Sequence, residues 1–206
     1  MIEGLYAITP ETSDSARLLA DTRLALEGGA AAVQYRDKSG DVARRHEQAS
    51  ELAALCRAFY VPFVVNDDVR LADLVGADGV HLGRDDGTVR EARLILGPDK
   101  LIGVSCYADL GRARQAEQEG ADYVAFGSFL PSATKPDAVP APLPLLAVAR
   151  EKLALPIVAI GGITLENCAQ LVEAGASAVA VLSALYGATD IRTTAAAFAA
   201  KFATQH

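Results

Sequence analysis

Short apolar runs alternate along the whole chain with stretches whose apolar positions recur at intervals of three and four. The runs are Gly4–Thr9, Ala32–Asp37, Pro62–Asn66, Gly79–Gly83, Leu101–Cys106, Tyr123–Gly127, Pro156–Ile160 and Ala178–Leu182. They are rich in Val and Ile and mostly lack strict polar alternation, which predicts parallel strands buried on both faces. Helical signals lie between them. Thr88-Val89-Arg90-Glu91 has capping-box spacing, with Val89, Ala92 and Leu96 on one face. Thr164 is placed to cap the next-to-last helix, where Leu165, Cys168, Ala169 and Val172 form a stripe, and Leu52, Cys56 and Phe59 mark the second helix.

A Gly-Ala pair precedes a strand at Gly29, Gly76, Gly120 and Gly175, where a left-handed helix end calls for glycine. Eight strand–helix units predict an α/β fold, a single (β/α)8 TIM barrel over residues 1–206, with an open α/β sheet as the alternative. Leu130–Pro144 breaks the rhythm with five of the nine prolines and reads as a mobile active-site loop after the sixth strand.

Composition narrows the class. With 51% hydrophobic and 22% charged residues the chain is an ordinary globular one. Nineteen basic against 26 acidic residues, a net charge of −7 and no basic patch exclude a nucleic-acid footprint. The uncharged stretch Ala174–Thr189 is too short to span a bilayer, and Met1–Gly4 lacks the start of a signal peptide, so no membrane partner is expected. Cys56, Cys106 and Cys168 are widely spaced, which suits a reducing cytoplasm rather than a disulfide framework or a zinc site. A homo-oligomer is left open.

A barrel carries its chemistry where its strands finish, and the unusual polar residues fall there. Gln34, Arg36 and Lys38 alternate on one face of the second strand. They form a clamp for a phosphorylated ligand or, if that face is outward, a solvated surface. Asn66-Asp67-Asp68 ends the third strand and Arg84-Asp85-Asp86 follows the fourth. Two carboxylates from neighbouring strands beside a clamp suit Mg2+ with phosphate, although each aspartate alone could cap a helix. Ser105 ends the fifth strand, while Ser132, Thr134 and Lys135 offer two hydroxyls and a cation in the proline-rich loop. Gly161-Gly162 and Ser183 follow the seventh and eighth strands, where barrels build phosphate cradles. His81 reads as a buried, satisfied core histidine, and no nucleophile–histidine pairing stands out. The residues describe a magnesium-dependent enzyme handling two phosphorylated groups.

The motifs Gly4–Thr9, Gln34–Lys38, Asn66-Asp67, Gly76–Gly83, Thr134-Lys135-Pro136, Ile160–Ile163 and Val181–Ser183 occur in an order and spacing that resemble the thiamine phosphate synthase family over essentially the whole chain. The resemblance implies a transferase that condenses hydroxymethylpyrimidine pyrophosphate with hydroxyethylthiazole phosphate, giving thiamine phosphate and pyrophosphate. It implies that Gln34, Arg36, Lys38, Asn66, Ser105 and Lys135 bind the pyrimidine pyrophosphate, with Arg36, Lys38 and Lys135 acting in catalysis. It places Mg2+ on Asp67 and Asp86, and the thiazole phosphate on Ser132, Thr134, Gly162, Leu182 and Ser183.

The chain departs from the family pattern in three places: Arg84-Asp85-Asp86 for Gln-x-Asp, Ser132 for a threonine, and Ser105-Cys106-Tyr107 for a Ser-Thr-His type sequence. A related thiazole tautomerase uses a histidine near Tyr107, so the last departure together with Asn66, Asp67, Asp86 and Lys135 favours the transferase. A non-catalytic phosphate-binding barrel is the further alternative.

Overall fold

In the computed structural model, which describes residues 2–130 and 140–203, eight parallel strands pair in chain order and the last pairs with the first. The strands are β1 (Gly4–Ile8), β2 (Ala32–Tyr35), β3 (Phe63–Asn66), β4 (Gly79–Leu82), β5 (Leu101–Tyr107), β6 (Tyr123–Phe126), β7 (Ile157–Ile160) and β8 (Ala178–Val181). Gly4 and Leu5 lie opposite Ala178 and Val179, so the sheet is a closed (β/α)8 barrel and not an open one. The helices are α1 (Ser15–Glu27), α2 (Val42–Ala58), α3 (Val69–Leu74), α4 (Val89–Leu96), α5 (Leu110–Gln118), α6 (Pro144–Lys152), α7 (Leu165–Glu173), α8 (Ser183–Tyr186) and α9 (Ile191–Ala200). No described helix is long and apolar enough to cross a membrane.

Both strand faces are buried, but they meet different partners. Tyr6, Ile8, Ala32, Val64, Tyr123, Ala125, Val158, Ala178 and Ala180 fill the barrel interior. The alternate positions, among them Leu5, Val33, Phe63, Val80, Val124 and Val179, join the shell between strands and helices. This period of two determines which later residues face the mouth.

The Gly-Ala pairs mark quarter-barrel units. Gly29, Gly76, Gly120 and Gly175 all have positive φ. The next residue turns its N–H back onto the preceding helix in each case: Ala30 onto Ala25, Ala77 onto Ala72, Ala121 onto Ala116 and Ala176 onto Leu171, at 2.9–3.0 Å. The residue after that stitches to the start of the previous strand. Asp78 Oδ2 accepts from Phe63 N at 2.9 Å and Asp122 Oδ2 from Ile102 N at 2.7 Å. A helix stop and a strand register are thereby set by three consecutive residues.

Caps follow the sequence. Thr88 accepts from Glu91 N at 3.2 Å while Glu91 Oε2 accepts from Thr88 N at 2.8 Å, closing the expected box. Thr164 N donates to Asn167 Oδ1 at the start of α7. Pro144 opens α6 rather than closing the preceding loop, because a first-turn proline lacks only an N–H that has no helical partner. Cys56, Cys106 and Cys168 are free and buried, and burial pushes their thiols up to about 12, 12 and 11.

Two glycine substitutions separate backbone from packing costs. At Gly120, φ is +88° with no atom near an added Cβ, so Gly120→Ala should cost only the left-handed penalty, about 1–2 kcal/mol. At Gly103 an added Cβ would overlap the Tyr123 ring at Cζ, inside the barrel. Urea unfolding should show Gly103→Ala costing about 1–3 kcal/mol through overpacking, with the cost eased by removing the Tyr123 ring and the Gly120→Ala cost unaffected by it.

Candidate active site

Every candidate residue within the described chain lies at the ends of the strands or just beyond them. Ser132, Thr134 and Lys135 lie outside the described residues.

One side of the site is charged. Gln34 is buried inside β2, and Arg36 lies half-buried just beyond the strand end. Arg36 N donates to Thr9 Oγ1 at 3.0 Å, tying the ends of β1 and β2, and its guanidinium has no ion-pair partner among the described residues. Lys38 Nζ lies 3.2 Å from Asp67 Oδ2 with its side chain 58% exposed, so the pair adds little stability and the cation remains available to a ligand. Lys38, Arg45, Asn66, Asp67 and Asp86 line a cleft of about 560 Å3. Arg84 does not line it. Its guanidinium sits 4.7 Å from the centre of the Tyr107 ring, and Asp85 is exposed.

The aspartates divide their work. Asp68 caps α3, accepting from Leu71 N at 2.9 Å, and pairs with Arg45 at 2.9 Å. Thr88 caps α4. Asp67 and Asp86 are therefore not needed as caps. Asp67 has φ +66°, a left-handed turn that carries the chain off β3, and its N–H bonds His81 O. Asp86 Oδ2 accepts from Gly83 N at 2.8 Å. A Cβ added to Gly83 would meet Asp86 Oδ2 at 2.5 Å and Asp67 Oδ1 at 3.9 Å, so glycine leaves both carboxylates room at one point. Burial and the neighbouring Asp67 raise the Asp86 carboxyl above the usual range, against the pull of Gly83 N–H and Lys38. Asp37 behaves oppposite to Asp86. Burial pushes it up, but hydrogen bonds from Ser39 and the Arg44 and Arg45 charges outweigh that and hold it low.

The other side is built from backbone. Gly162, with φ +66°, follows β7, and Asn167 Nδ2 holds its carbonyl at 2.9 Å. Leu182 and Ser183 follow β8, with Leu182 packed on the interior cluster and Ser183 exposed at the start of α8. Because β7 pairs with β8, these residues are neighbours, and chain order puts them across the barrel from β3 and β4.

Ser105 lies within β5, just before a register shift against β6, and its Oγ is 2.9 Å from His81 Nε2. His81 is buried and hydrogen-bonded, as expected, but its partners lead into the site. Nothing in the sequence pattern separates Tyr6 and Tyr123 from core aromatics, since their register partners are Ala32, Ala180 and Gly103. Arg112 was also missed. It donates to Ser105 O at 2.7 Å and Gly83 O at 2.8 Å, locking the ends of β4 and β5.

Fold and site define a (β/α)8 barrel that presents charged groups and glycine-rich backbone at the C-terminal ends of its strands. Residues 5–185 match the family model described as thiamine monophosphate synthase. The chain is 64% identical over 202 residues to the thiamine-phosphate synthase of Thiobacillus denitrificans, covering 98% of this chain and 96% of that one. It is 56% identical to that of Methylobacillus flagellatus, covering 96% and 94%. The solved thiamine phosphate pyrophosphorylase from Pyrococcus furiosus superposes with a TM-score of 0.87 at 36% identity, covering 97% and 95%. The chain belongs to the thiamine monophosphate synthase family.

The raised Asp86 carboxyl fixes a sign for stability. Without metal, the folded state holds the Asp86 proton more tightly than the unfolded state does. That contribution is present below the ordinary aspartate range and is lost as pH rises through the raised value. Asp86→Asn should therefore be more stable than the metal-free parent at pH 7 and lose that advantage at low pH, as read by urea unfolding across pH.

Proposed function

We propose that the chain joins hydroxymethylpyrimidine pyrophosphate to hydroxyethylthiazole phosphate, releasing pyrophosphate and forming thiamine phosphate, with Mg2+ at Asp67 and Asp86. The observation that carries this reading is the Asp67–Asp86 pair beside Lys38 on a cleft, across the barrel from Gly162 and Ser183. Two carboxylates crowded until one prefers a proton are a poor arrangement alone and a good one around a hard divalent cation, which keeps waters and phosphate oxygens as its other ligands. When bound, magnesium would neutralise charge on the departing pyrophosphate.

The chain's own residues have distinct tasks in this reading. Arg36, Lys38 and Lys135 balance negative charge that grows as the carbon–oxygen bond to pyrophosphate breaks, an interaction strongest in the transition state. Gln34, Asn66 and Ser105 orient the aminopyrimidine, whose electron-rich ring spreads the positive charge left on the methylene carbon. Ser132, Thr134, Gly162, Leu182 and Ser183 hold the thiazole phosphate so that the ring nitrogen meets that carbon. Capture needs position rather than a base. The stacking of Tyr107 with Arg84 supports the transferase over the tautomerase, because it puts a structural ring contact where the tautomerase has its proton-transfer histidine.

The purified protein should form thiamine phosphate from the two substrates with magnesium and lose the activity in EDTA. Asp67→Ala and Asp86→Ala should each lower turnover by about 100-fold or more while far-UV circular dichroism stays unchanged. Near-normal rates in both variants would remove the metal assignment, and no product from folded parent protein would remove the reaction.

A further inference from the structure

A line of hydrogen bonds crosses the barrel interior from Gln34 to Ser105. Gln34 Nε2 donates to Tyr6 Oη at 2.9 Å, and Tyr6 Oη lies 2.9 Å from Tyr123 Oη. Tyr123 Oη lies 3.1 Å from His81 Nδ1, and His81 Nε2 lies 2.9 Å from Ser105 Oγ. The rings are fixed by one another, with Tyr6 edge-on to Tyr123 and His81 stacked on it. Gly103 makes room for the Tyr123 ring.

The chemistry of the groups gives this line a direction. An amide N–H can only donate, so Tyr6 Oη accepts from Gln34 and must send its one proton onward to Tyr123. Tyr123 then donates to His81 Nδ1, which leaves the imidazole proton on Nε2 to donate to Ser105. Burial raises both tyrosine hydroxyls above their ordinary value, so each keeps the single proton this scheme needs. If the Gln34 amide were turned over, every bond would have to reverse together. Intermediate arrangements strand a donor or acceptor inside the barrel, at a cost of about 1–3 kcal/mol.

We propose that Tyr6, Tyr123 and His81 are positioning residues that couple Gln34 to Ser105, so that the Gln34 carbonyl oxygen is presented as an acceptor and the Ser105 hydroxyl as a donor. The pair would then select a ring carrying an amino donor and an acceptor nitrogen, and reject one with the reverse pattern. The choice of ligand rests on the proposed reaction; the direction of the line does not.

Two readouts separate them. In protein labelled with 15N-histidine, and with the His81 signals assigned by their loss in His81→Gln, His81 should be a single Nε2–H tautomer. Tyr123→Phe, which removes two links and little volume, should give a mixture of tautomers. It should also raise KM for the pyrimidine pyrophosphate about tenfold with KM for the thiazole phosphate within about twofold. Tyr6→Phe removes the Gln34–Tyr6 and Tyr6–Tyr123 links but leaves His81 Nδ1 as the acceptor for the Tyr123 hydroxyl, so it should raise the same KM while keeping the Nε2–H tautomer. An Nδ1–H tautomer in the parent protein would overturn the direction. An unchanged tautomer and KM in Tyr123→Phe, or an equal rise in both KM values, would overturn the coupling. If the parent makes no thiamine phosphate, the reaction falls while the tautomer still decides the relay.

Discussion

Closure of eight parallel strands imposes one constraint from which the site follows: every second side chain must enter a shared interior that is sealed from solvent along its length. The interior accepts Ile8, Val64, Val158 and small alanines without difficulty. Toward the strand ends the same phase brings in Gln34, Asn66, His81 and Ser105, which are expensive to bury unless bonded. The tyrosine–histidine line satisfies three of these four, and Asn66 stands at the margin between the interior and the charged cleft. Fold and recognition are thus two consequences of one register.

Outside the interior, the loops solve a different electrostatic problem. The chain carries a net charge of −7, yet its reading requires it to hold anions. Charge location matters more than the total. Asp37, Asp41, Asp68, Asp109 and Asp190 are engaged with helix starts or arginines. Lys38 remains largely exposed beside the two carboxylates that are not capping anything. Crowding those carboxylates costs stability in the metal-free protein, and a divalent cation would convert that cost into affinity.

The fold was legible because several independent signals agreed. Each apolar run became a strand with ends displaced by no more than two residues, the largest shift being at β2, which stops at Tyr35 instead of Asp37. That shift has a cause: beyond Tyr35 the backbone bonds side chains, Arg36 to Thr9 and Lys38 to Glu11, instead of a neighbouring strand. The charged part of the site was also legible, since Asp67 and Asp86 stand out by position. Which aspartates were caps was not, because Asp67 and Asp68 are equivalent until the left-handed turn at Asp67 separates them. Tyr6 and Tyr123 stayed hidden for another reason. An inward tyrosine looks like core in any pattern of apolar positions, and its hydroxyl partner lies 117 residues away.

The central claim is that the two carboxylates and the basic clamp form one site for a metal and a pyrophosphate together. Calorimetric titration of Mg2+ into the protein, with and without inorganic pyrophosphate, tests this most directly. The account predicts that pyrophosphate tightens Mg2+ binding, that Mg2+ tightens pyrophosphate by the same factor, and that Asp67→Ala abolishes the coupling. Independent binding of the two ligands, or coupling that survives without Asp67, would contradict it.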